Sequence, residues 1–135
     1  MNDFFNMMFV TAAQVEGFAH ARIISFITER NKKNILAMGK NQYKTHPFQK
    51  RFGKNNDCIY LHAETDAIKN ALKTMKVDNL EDCDLYVMRL KQASKTGPTI
   101  TGLSKPCIGC MRAIVTFGIH KVYYTEDNAS DFVCL

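Results

Sequence analysis

Two short motifs, far apart along the chain, most constrain how it can fold. The first is His62-Ala63-Glu64 and the second is Pro106-Cys107-Ile108-Gly109-Cys110. One imidazole and two thiolates suit a catalytic zinc, which keeps three protein ligands and leaves its fourth position to water. Such an ion lowers the pKa of that water towards about 7, and Glu64 adds a carboxylate that can move protons. The fold must therefore bring both motifs to one point, where this set suits hydrolytic attack on an unsaturated ring carbon.

The Cys-x-x-Cys spacing is also compatible with two other kinds of site. A redox pair would follow a strand in a thioredoxin-like unit and would need neither His62 nor Glu64. A structural zinc site needs four closed ligands, and the remaining cysteines do not form a second close pair. These cysteines are Cys58, Cys83 and Cys134. We therefore favour catalytic zinc and keep the redox pair and the structural zinc as alternatives.

The composition indicates one ordinary globular domain over residues 1–135. Of its 135 residues, 46% are hydrophobic and 23% are charged, which is enough for one buried core. The net charge of +5 favours anionic ligands, and phosphorylated nucleotides and nucleic acid fit equally well. Five cysteines with one close pair make a poor disulfide framework, so metal binding in a reducing cytoplasm is expected. The pattern predicts neither a signal peptide nor a membrane span.

Hydrophobic periodicity predicts an α/β order of elements. Helices are expected at 9–19, at 64–75 and in a segment whose first turn contains Pro106. Strands are expected at 21–27, 35–39, 84–90 and 121–125, with a short fifth at 132–135. This order predicts a mixed sheet of four or five strands with helices on both faces. The two helices that carry the motifs should then begin at the same edge of the sheet and face each other.

Two polar segments lie between these elements. Residues 40–54 form the most basic part of the chain and include Lys44 and His46, which are candidates for contact with an anionic substrate; a solvated loop is the alternative. Residues 92–105 form a long connection, and loops of that length in a compact domain are often functional. The other histidines, His20 and His120, flank predicted elements and are expected at the surface or in satisfied positions.

Both motifs and their surroundings resemble those of the cytidine and deoxycytidylate deaminase superfamily. That superfamily also includes tRNA adenosine deaminases and the cytidine deaminases that edit DNA and RNA. The resemblance runs from about Val10 to Thr125 and is greatest at residues 62–68 and 104–110. The predicted strand at 121–124 also has the place of the family's fourth strand. The resemblance implies a three-layer cytidine-deaminase-like fold.

The resemblance also implies a role for the residues of the two motifs. His62, Cys107 and Cys110 would hold zinc. Glu64 would take a proton from the zinc-bound water, protonate the ring nitrogen and pass a proton to departing ammonia. The backbone around Ala63 would hydrogen-bond the base.

Further contacts to the substrate are implied outside the motifs. Asn41 has the place of an Asn that contacts the sugar or the base in relatives. Tyr124, at the end of the fourth predicted strand, would stack on the ring. In the basic segment, Lys44 and His46 are candidates for the phosphate of a nucleotide.

Three functions remain open from the sequence. The first is zinc-dependent conversion of a cytosine-type nucleotide, above all dCMP to dUMP, because the free-cytidine branch commonly has Cys where this chain has His62. The second is deamination of a base within tRNA or single-stranded DNA, which needs a basic track and an open groove. The third is a zinc-stabilised nucleotide-binding module without catalysis. Relatives commonly assemble, so a homo-oligomer is expected.

Overall fold

The computed structural model of the chain describes residues 3–15, 22–42, 46–52 and 61–135. Within these ranges there are four helices and six strands. The helices are α1 (Asp3–Gln14), α2 (Pro47–Phe52), α3 (Ala63–Met75) and α4 (Ile108–Phe117). The strands are β1 (Arg22–Glu29), β2 (Ile35–Lys40), β3 (Cys83–Gln92), β4 (Thr99–Gly102), β5 (Lys121–Tyr124) and β6 (Val133–Cys134). No helix in these ranges has the length and apolar character needed to cross a membrane.

The six strands form one mixed sheet, in which five follow the order β2-β1-β3-β5-β6 and β4 pairs with β3 outside that order. β1 is antiparallel to both β2 and β3, whereas β5 runs parallel to β3. A parallel pair needs a crossover connection, and the segment that contains α4 supplies it. β4 pairs with the last residues of β3, so β4 and β5 share one side of that strand. The connection therefore leaves and re-enters the sheet beside β3.

Helices cover both faces of the sheet. On one face, α1 buries residues at helical spacing, namely Phe4, Phe5, Met8 and Ala12. On the other face, α2, α3 and α4 enclose the larger apolar cluster, which includes Ala67, Ile68, Leu85, Val87, Ala113 and Phe117. Side chains of a strand alternate between faces, so β3 contributes Tyr86 and Met88 to the first cluster and Leu85 and Val87 to the second. The predicted α/β fold with helices on both faces is confirmed.

α3 lies very close to β2, and Gly39 allows this approach. A Cβ atom on Gly39 would lie 2.2 Å from the Ala67 backbone nitrogen and 2.4 Å from the Ala63 carbonyl oxygen. Neither backbone atom can rotate away, so a larger residue would push the strand and the helix apart. Because Gly39 has no side chain, the first turns of α3 can pack at this short distance from the sheet.

The N-terminal helix differs from its predicted span of 9–19. It begins at Asp3 and ends at Gln14, and residues 16–19 of the predicted span lie outside the described residues. The earlier start has a physical reason, because Phe4 and Phe5 continue the buried stripe by one turn and pack against Phe132.

Both polar segments contain regular structure that periodicity did not indicate. The basic segment holds α2, in which Phe48 and Phe52 are four residues apart and both pack on Phe117. The 92–105 connection holds β4, which makes six strands where four or five were expected. α4 begins at Ile108, so Pro106 precedes the helix instead of lying in its first turn.

Candidate functional site

The two motifs lie at the starts of α3 and α4. His62 is the N-cap residue of α3, with φ −81° and ψ 160°, and Cys107 is the N-cap residue of α4, with φ −73° and ψ 173°. In the described chain, neither side chain makes the hydrogen bond that usually caps a helix. Both are directed instead towards the gap between the two helix starts.

Three donor atoms converge in this gap. The Nδ1 atom of His62 lies 3.5 Å from the Sγ of Cys107 and 3.4 Å from the Sγ of Cys110. All three atoms lie within 4.8 Å of one another and can hold a metal ion. Zinc binds nitrogen at about 2.05 Å and sulfur at about 2.3 Å, so in tetrahedral geometry the nitrogen and each sulfur would lie about 3.6 Å apart. The donor set and its spacing therefore fit zinc.

The remaining cysteines and histidines do not add to this group in the part of the chain that the structure describes. Cys83 and Cys134 are free thiols outside it. His120 is paired with the Asp84 carboxylate at 3.0 Å, as expected of a satisfied histidine. Cys58 and His20 lie outside the described residues. Among the described residues the group has three donors, which is the number that a catalytic zinc keeps when it leaves a position to water.

The electrostatics of the cysteine pair favour metal binding. A hydrogen bond from Cys110 lowers the pKa of Cys107 to about 3, against the opposing effect of burial. The same hydrogen bond and burial raise the pKa of Cys110, whereas the hydrogen bond with Cys107 raises the pKa of His62. Cys107 is exposed and Cys110 is buried. One thiolate is thus available at the surface of the site, in the form that binds metal.

Glu64 lies beside the three donors. Its side chain is buried, and burial raises the pKa of its carboxyl group. A hydrogen bond from its own backbone N–H, the nearby charge of His62 and a hydrogen bond with Cys110 act in the opposite direction. The net effect is a carboxyl group whose pKa lies above its ordinary value because it is buried beside the three donors.

Comparison with known proteins decides the family. A family model described as the cytidine and deoxycytidylate deaminase zinc-binding region matches residues 2–126. The chain belongs to the cytidine and deoxycytidylate deaminase family. It is a member of a family of zinc-binding hydrolases, and zinc is the cofactor that its donor set fits.

A solved structure with a similar fold agrees with this result. The X-ray structure of guanine deaminase from Bacillus subtilis superposes with a TM-score of 0.54 and is 22% identical in sequence. The match covers 93% of this chain and 65% of that one, so the chain spans less than two thirds of the guanine deaminase. At this identity the likeness shows the fold. A comparison with curated proteins found no match.

Asn41 is hydrogen-bonded to β1, next to a residue that contacts the segment before α3. Its side-chain oxygen accepts a hydrogen bond from the backbone N–H of Ile23 at 3.2 Å. The next residue, Gln42, donates its backbone N–H to the Leu61 carbonyl at 2.9 Å, immediately before His62. The Asn41 side-chain oxygen is thus used in a hydrogen bond inside the protein.

The other residues predicted to contact substrate are placed differently. Ala63 is the first residue of α3 and its side chain is buried, so its backbone is the part near the site. Tyr124 ends β5 and packs on the sheet face that carries α3 and α4. His46 accepts a hydrogen bond at Nδ1 from the Phe48 N–H at 3.0 Å and thereby caps α2. Lys44 lies outside the described residues.

Several buried polar residues that support the site were not identified from the sequence. Asp66 is one of them, because its Oδ2 accepts hydrogen bonds from the Lys40 N–H and the Gln42 side chain, both at 3.0 Å. It thereby fastens the segment with Asn41 to the first turn of α3. In the sequence Asp66 is a polar residue within an amphipathic helix, which gives no signal of its partners.

A second polar cluster holds the cysteine motif. The Ser104 hydroxyl donates to the Val87 carbonyl at 2.9 Å and accepts from the Thr125 N–H at 2.8 Å. The Thr125 hydroxyl donates to the Gly102 carbonyl at 2.7 Å. Both side chains are buried. The chain that leads into Cys107 is therefore hydrogen-bonded to the middle of β3 and to the residue that follows β5.

Proposed function

We propose that the chain is a hydrolytic deaminase that converts a cytosine-type nucleotide, above all dCMP, to its uracil counterpart with release of ammonia. The observation that carries this proposal is the spacing of His62 Nδ1 from the Cys107 and Cys110 sulfurs, at 3.5 and 3.4 Å, beside a buried carboxylate. His62, Cys107 and Cys110 would hold the zinc, which when bound lowers the pKa of water and so supplies a nucleophile at neutral pH.

Glu64 performs the proton transfers in this proposal. Its carboxylate accepts a proton from the attacking water and gives it to the ring nitrogen. After the water oxygen has bonded to the ring carbon, Glu64 takes the remaining proton of that oxygen and passes it to the leaving amine. The carbon–nitrogen bond then breaks, the oxygen becomes a carbonyl oxygen and ammonia leaves. Burial keeps bulk water from competing for these protons, and the hydrogen bond with Cys110 orients the carboxylate towards the metal ligands.

The surrounding residues would bind the substrate. The Asn41 amide and the backbone of Ala63 would hydrogen-bond the sugar and the base, and Tyr124 would stack on the ring. His46 and Lys44 would contact the phosphate. The cap made by His46 Nδ1 leaves its Nε2 as the atom for that contact.

The proposed substrate class rests on the ligand set and on charge. A histidine as the first ligand, at position 62, is similar to the deoxycytidylate and editing branches of the family. The net charge of +5 favours an anionic substrate. The likeness in fold to a guanine deaminase makes a free purine base the second candidate. A base within tRNA or single-stranded DNA and a non-catalytic zinc-stabilised module are the further alternatives.

Ammonia release tests the activity and the substrate together. Purified protein with measured zinc content is incubated with dCMP, CMP, cytidine, guanine and a cytosine-containing single-stranded oligonucleotide. We expect the fastest release from dCMP; faster release from guanine or from the oligonucleotide would refute the substrate assignment.

A conservative variant tests the proton-transfer role. Glu64→Gln should retain zinc and the fold but lose ammonia release by a factor of about 10²–10⁴, which is the usual contribution of general acid–base catalysis. Glu81→Gln, at an exposed position before β3, is the matched control and should be unchanged. Undiminished turnover by Glu64→Gln, or no release from any substrate by zinc-loaded parent protein, would contradict a catalytic role.

We also propose that the protein forms a homo-oligomer in the cytoplasm. The support for self-association is the outer surface next to the cysteine motif, where Leu103 and Ile108 are each 53% exposed and Val115 is 73% exposed. Ile108 and Val115 lie together on this surface with Met111, and contiguous exposed apolar patches are typical of interaction surfaces. Sedimentation should show a dimer or larger species that Val115→Glu dissociates, and a monomer at all concentrations would refute it. Thiol ligands favour a reducing compartment.

A further inference from the structure

α2 lies between the two helices that carry the candidate zinc ligands. Phe48 stacks on Phe117 near the end of α4, with ring centroids 5.7 Å apart and 13° between the ring planes. Phe52 meets the same ring edge-on at 5.8 Å, and the Arg51 guanidinium covers Phe52 at 4.7 Å. These aromatic and cation–π contacts anchor α2 to α4.

The other side of α2 presents Gln49 to the start of α3. The Gln49 side chain is 0% exposed. Its Oε1 atom accepts a hydrogen bond from the backbone N–H of His62 at 3.1 Å and another from the Thr65 hydroxyl. That hydroxyl also lies 3.2 Å from the His62 carbonyl oxygen. One amide oxygen thus contacts both the residue before α3 and the first turn of that helix.

His62 needs such a partner because of its position. The backbone N–H of an N-cap residue has no acceptor within its own helix, and a Glu or Gln side chain at position N3 commonly accepts from it. In α3 position N3 is Thr65, and its hydroxyl bonds Gln49. Gln49 therefore supplies, from a different helix, the acceptor for the His62 N–H.

We propose that Gln49 is a positioning residue for the zinc site, which holds the backbone of His62 so that its imidazole meets the two sulfurs. Because α2 contacts both helices, it then fixes the distance between the start of α3 and α4. This inference rests on the proposed role of His62 as a ligand. Loss of a partner that orients a metal ligand typically weakens metal binding 10- to 100-fold. Without Gln49, the His62 N–H would lack its buried acceptor in the geometry that binds metal.

Two substitutions of similar size separate the hydrogen bond from packing. Gln49→Met keeps the length of the side chain and removes the acceptor, whereas Gln49→Glu keeps an acceptor oxygen. Lys50→Ala, on the exposed side of the same helix, is the control. Zinc affinity is measured by competition with a chromophoric chelator. We expect Gln49→Met to bind zinc 10- to 100-fold more weakly, Gln49→Glu to stay within about threefold of the parent, and Lys50→Ala to be unchanged.

Urea unfolding of the zinc-free forms distinguishes positioning from general stability. A residue needed only for packing would lower the urea midpoint of the zinc-free protein and leave zinc affinity unchanged, and that result would overturn the inference. Equal weakening by Gln49→Met and Gln49→Glu would also overturn it, because the acceptor would then be irrelevant. Co²⁺ loading adds a spectroscopic measure, since the bands of a tetrahedral thiolate site should shift or weaken in Gln49→Met.

Thr65→Val keeps the test decisive if Gln49→Met does not fold. It preserves shape, removes the hydroxyl that binds Gln49 and should weaken zinc binding in the same direction, whereas Thr65→Ser should not. Unchanged zinc affinity in Thr65→Val would then count against the inference.

The parent and His62→Ala test the premise separately. If the parent binds no zinc, or if His62→Ala binds it as tightly as the parent, the ligand assignment fails. If both behave as expected and Gln49→Met equals the parent, only the role of Gln49 fails.

Discussion

Replacing Gly39 by Ala should separate β2 from α3. The added Cβ would lie 2.2 Å from the Ala67 backbone nitrogen, 2.4 Å from the Ala63 carbonyl oxygen and 2.8 Å from the Ala67 Cα. Ordinary contacts of this kind begin at 3.4 Å, so strand and helix must move apart by roughly 1 Å. The pairing of β2 with β1 and the hydrogen bond from the Lys40 N–H to Asp66 both resist that movement.

The cost follows from the rigidity of the atoms involved. Overpacking a well-packed core usually costs about 1–3 kcal/mol, and contact with backbone on the helix side places Gly39→Ala at about 3 kcal/mol or above. Alanine is better than glycine in the interior of a strand by roughly 0.5–1 kcal/mol, which offsets part of this. We therefore expect a net loss of about 2 kcal/mol or more in the free energy of unfolding.

Urea unfolding followed by circular dichroism measures this loss. Gly102→Ala is the control, because its Cβ would meet atoms of the flexible Arg89 side chain at 3.1 Å, 3.3 Å and 3.4 Å. That change should cost less than about 1 kcal/mol, since a flexible side chain can move aside. If Gly39→Ala unfolds within about 1 kcal/mol of the parent, the close packing of α3 on β2 does not constrain the fold as argued. Zinc affinity should fall with stability, because Ala63 follows His62 directly.

Three further measurements test other parts of the molecule. Because a ligand stabilises the folded form that binds it, chelation of zinc should lower the melting temperature of the parent in calorimetry, and added zinc should restore it. The melting temperature of His62→Ala should not change on chelation. Asp66→Ala removes the acceptor for two donors and should cost about 1–3 kcal/mol in urea unfolding, whereas Asp66→Asn, which keeps an oxygen, should cost less. Burial raises the pKa of Tyr86 to about 12. The folded state thus favours the neutral phenol, so the contribution of Tyr86 to the free energy of unfolding should be fully present below a pH of about 10 and should be lost as the pH rises towards 12. Tyr86→Phe should reduce this loss of stability at high pH. An absorbance titration in which all tyrosine midpoints lie near 10 would contradict the prediction.

Local pattern was enough to predict most helices and strands. α3 was expected at 64–75 and spans Ala63–Met75, because an apolar stripe depends on neighbours in sequence. The same holds for β1 and β5, which are runs of β-branched and aromatic residues, and for the apolar run of β2; all three begin and end within two residues of prediction. The pattern failed for β4, whose four residues form a strand only because the end of β3 is available for pairing.

The chemistry of the site divides in the same way. Residue types, their spacing in two motifs and the family resemblance selected His62, Cys107, Cys110 and Glu64 as candidate site residues. Their convergence, and the residues that maintain it, depend on contacts between distant segments. The acceptor that Gln49 offers to His62 is set by how α2 packs between α3 and α4, and the need for glycine at position 39 is set by the distance between two layers. Periodicity encodes which face of an element is buried, but the partner of a buried polar group and the space beside a strand exist only once the layers have packed.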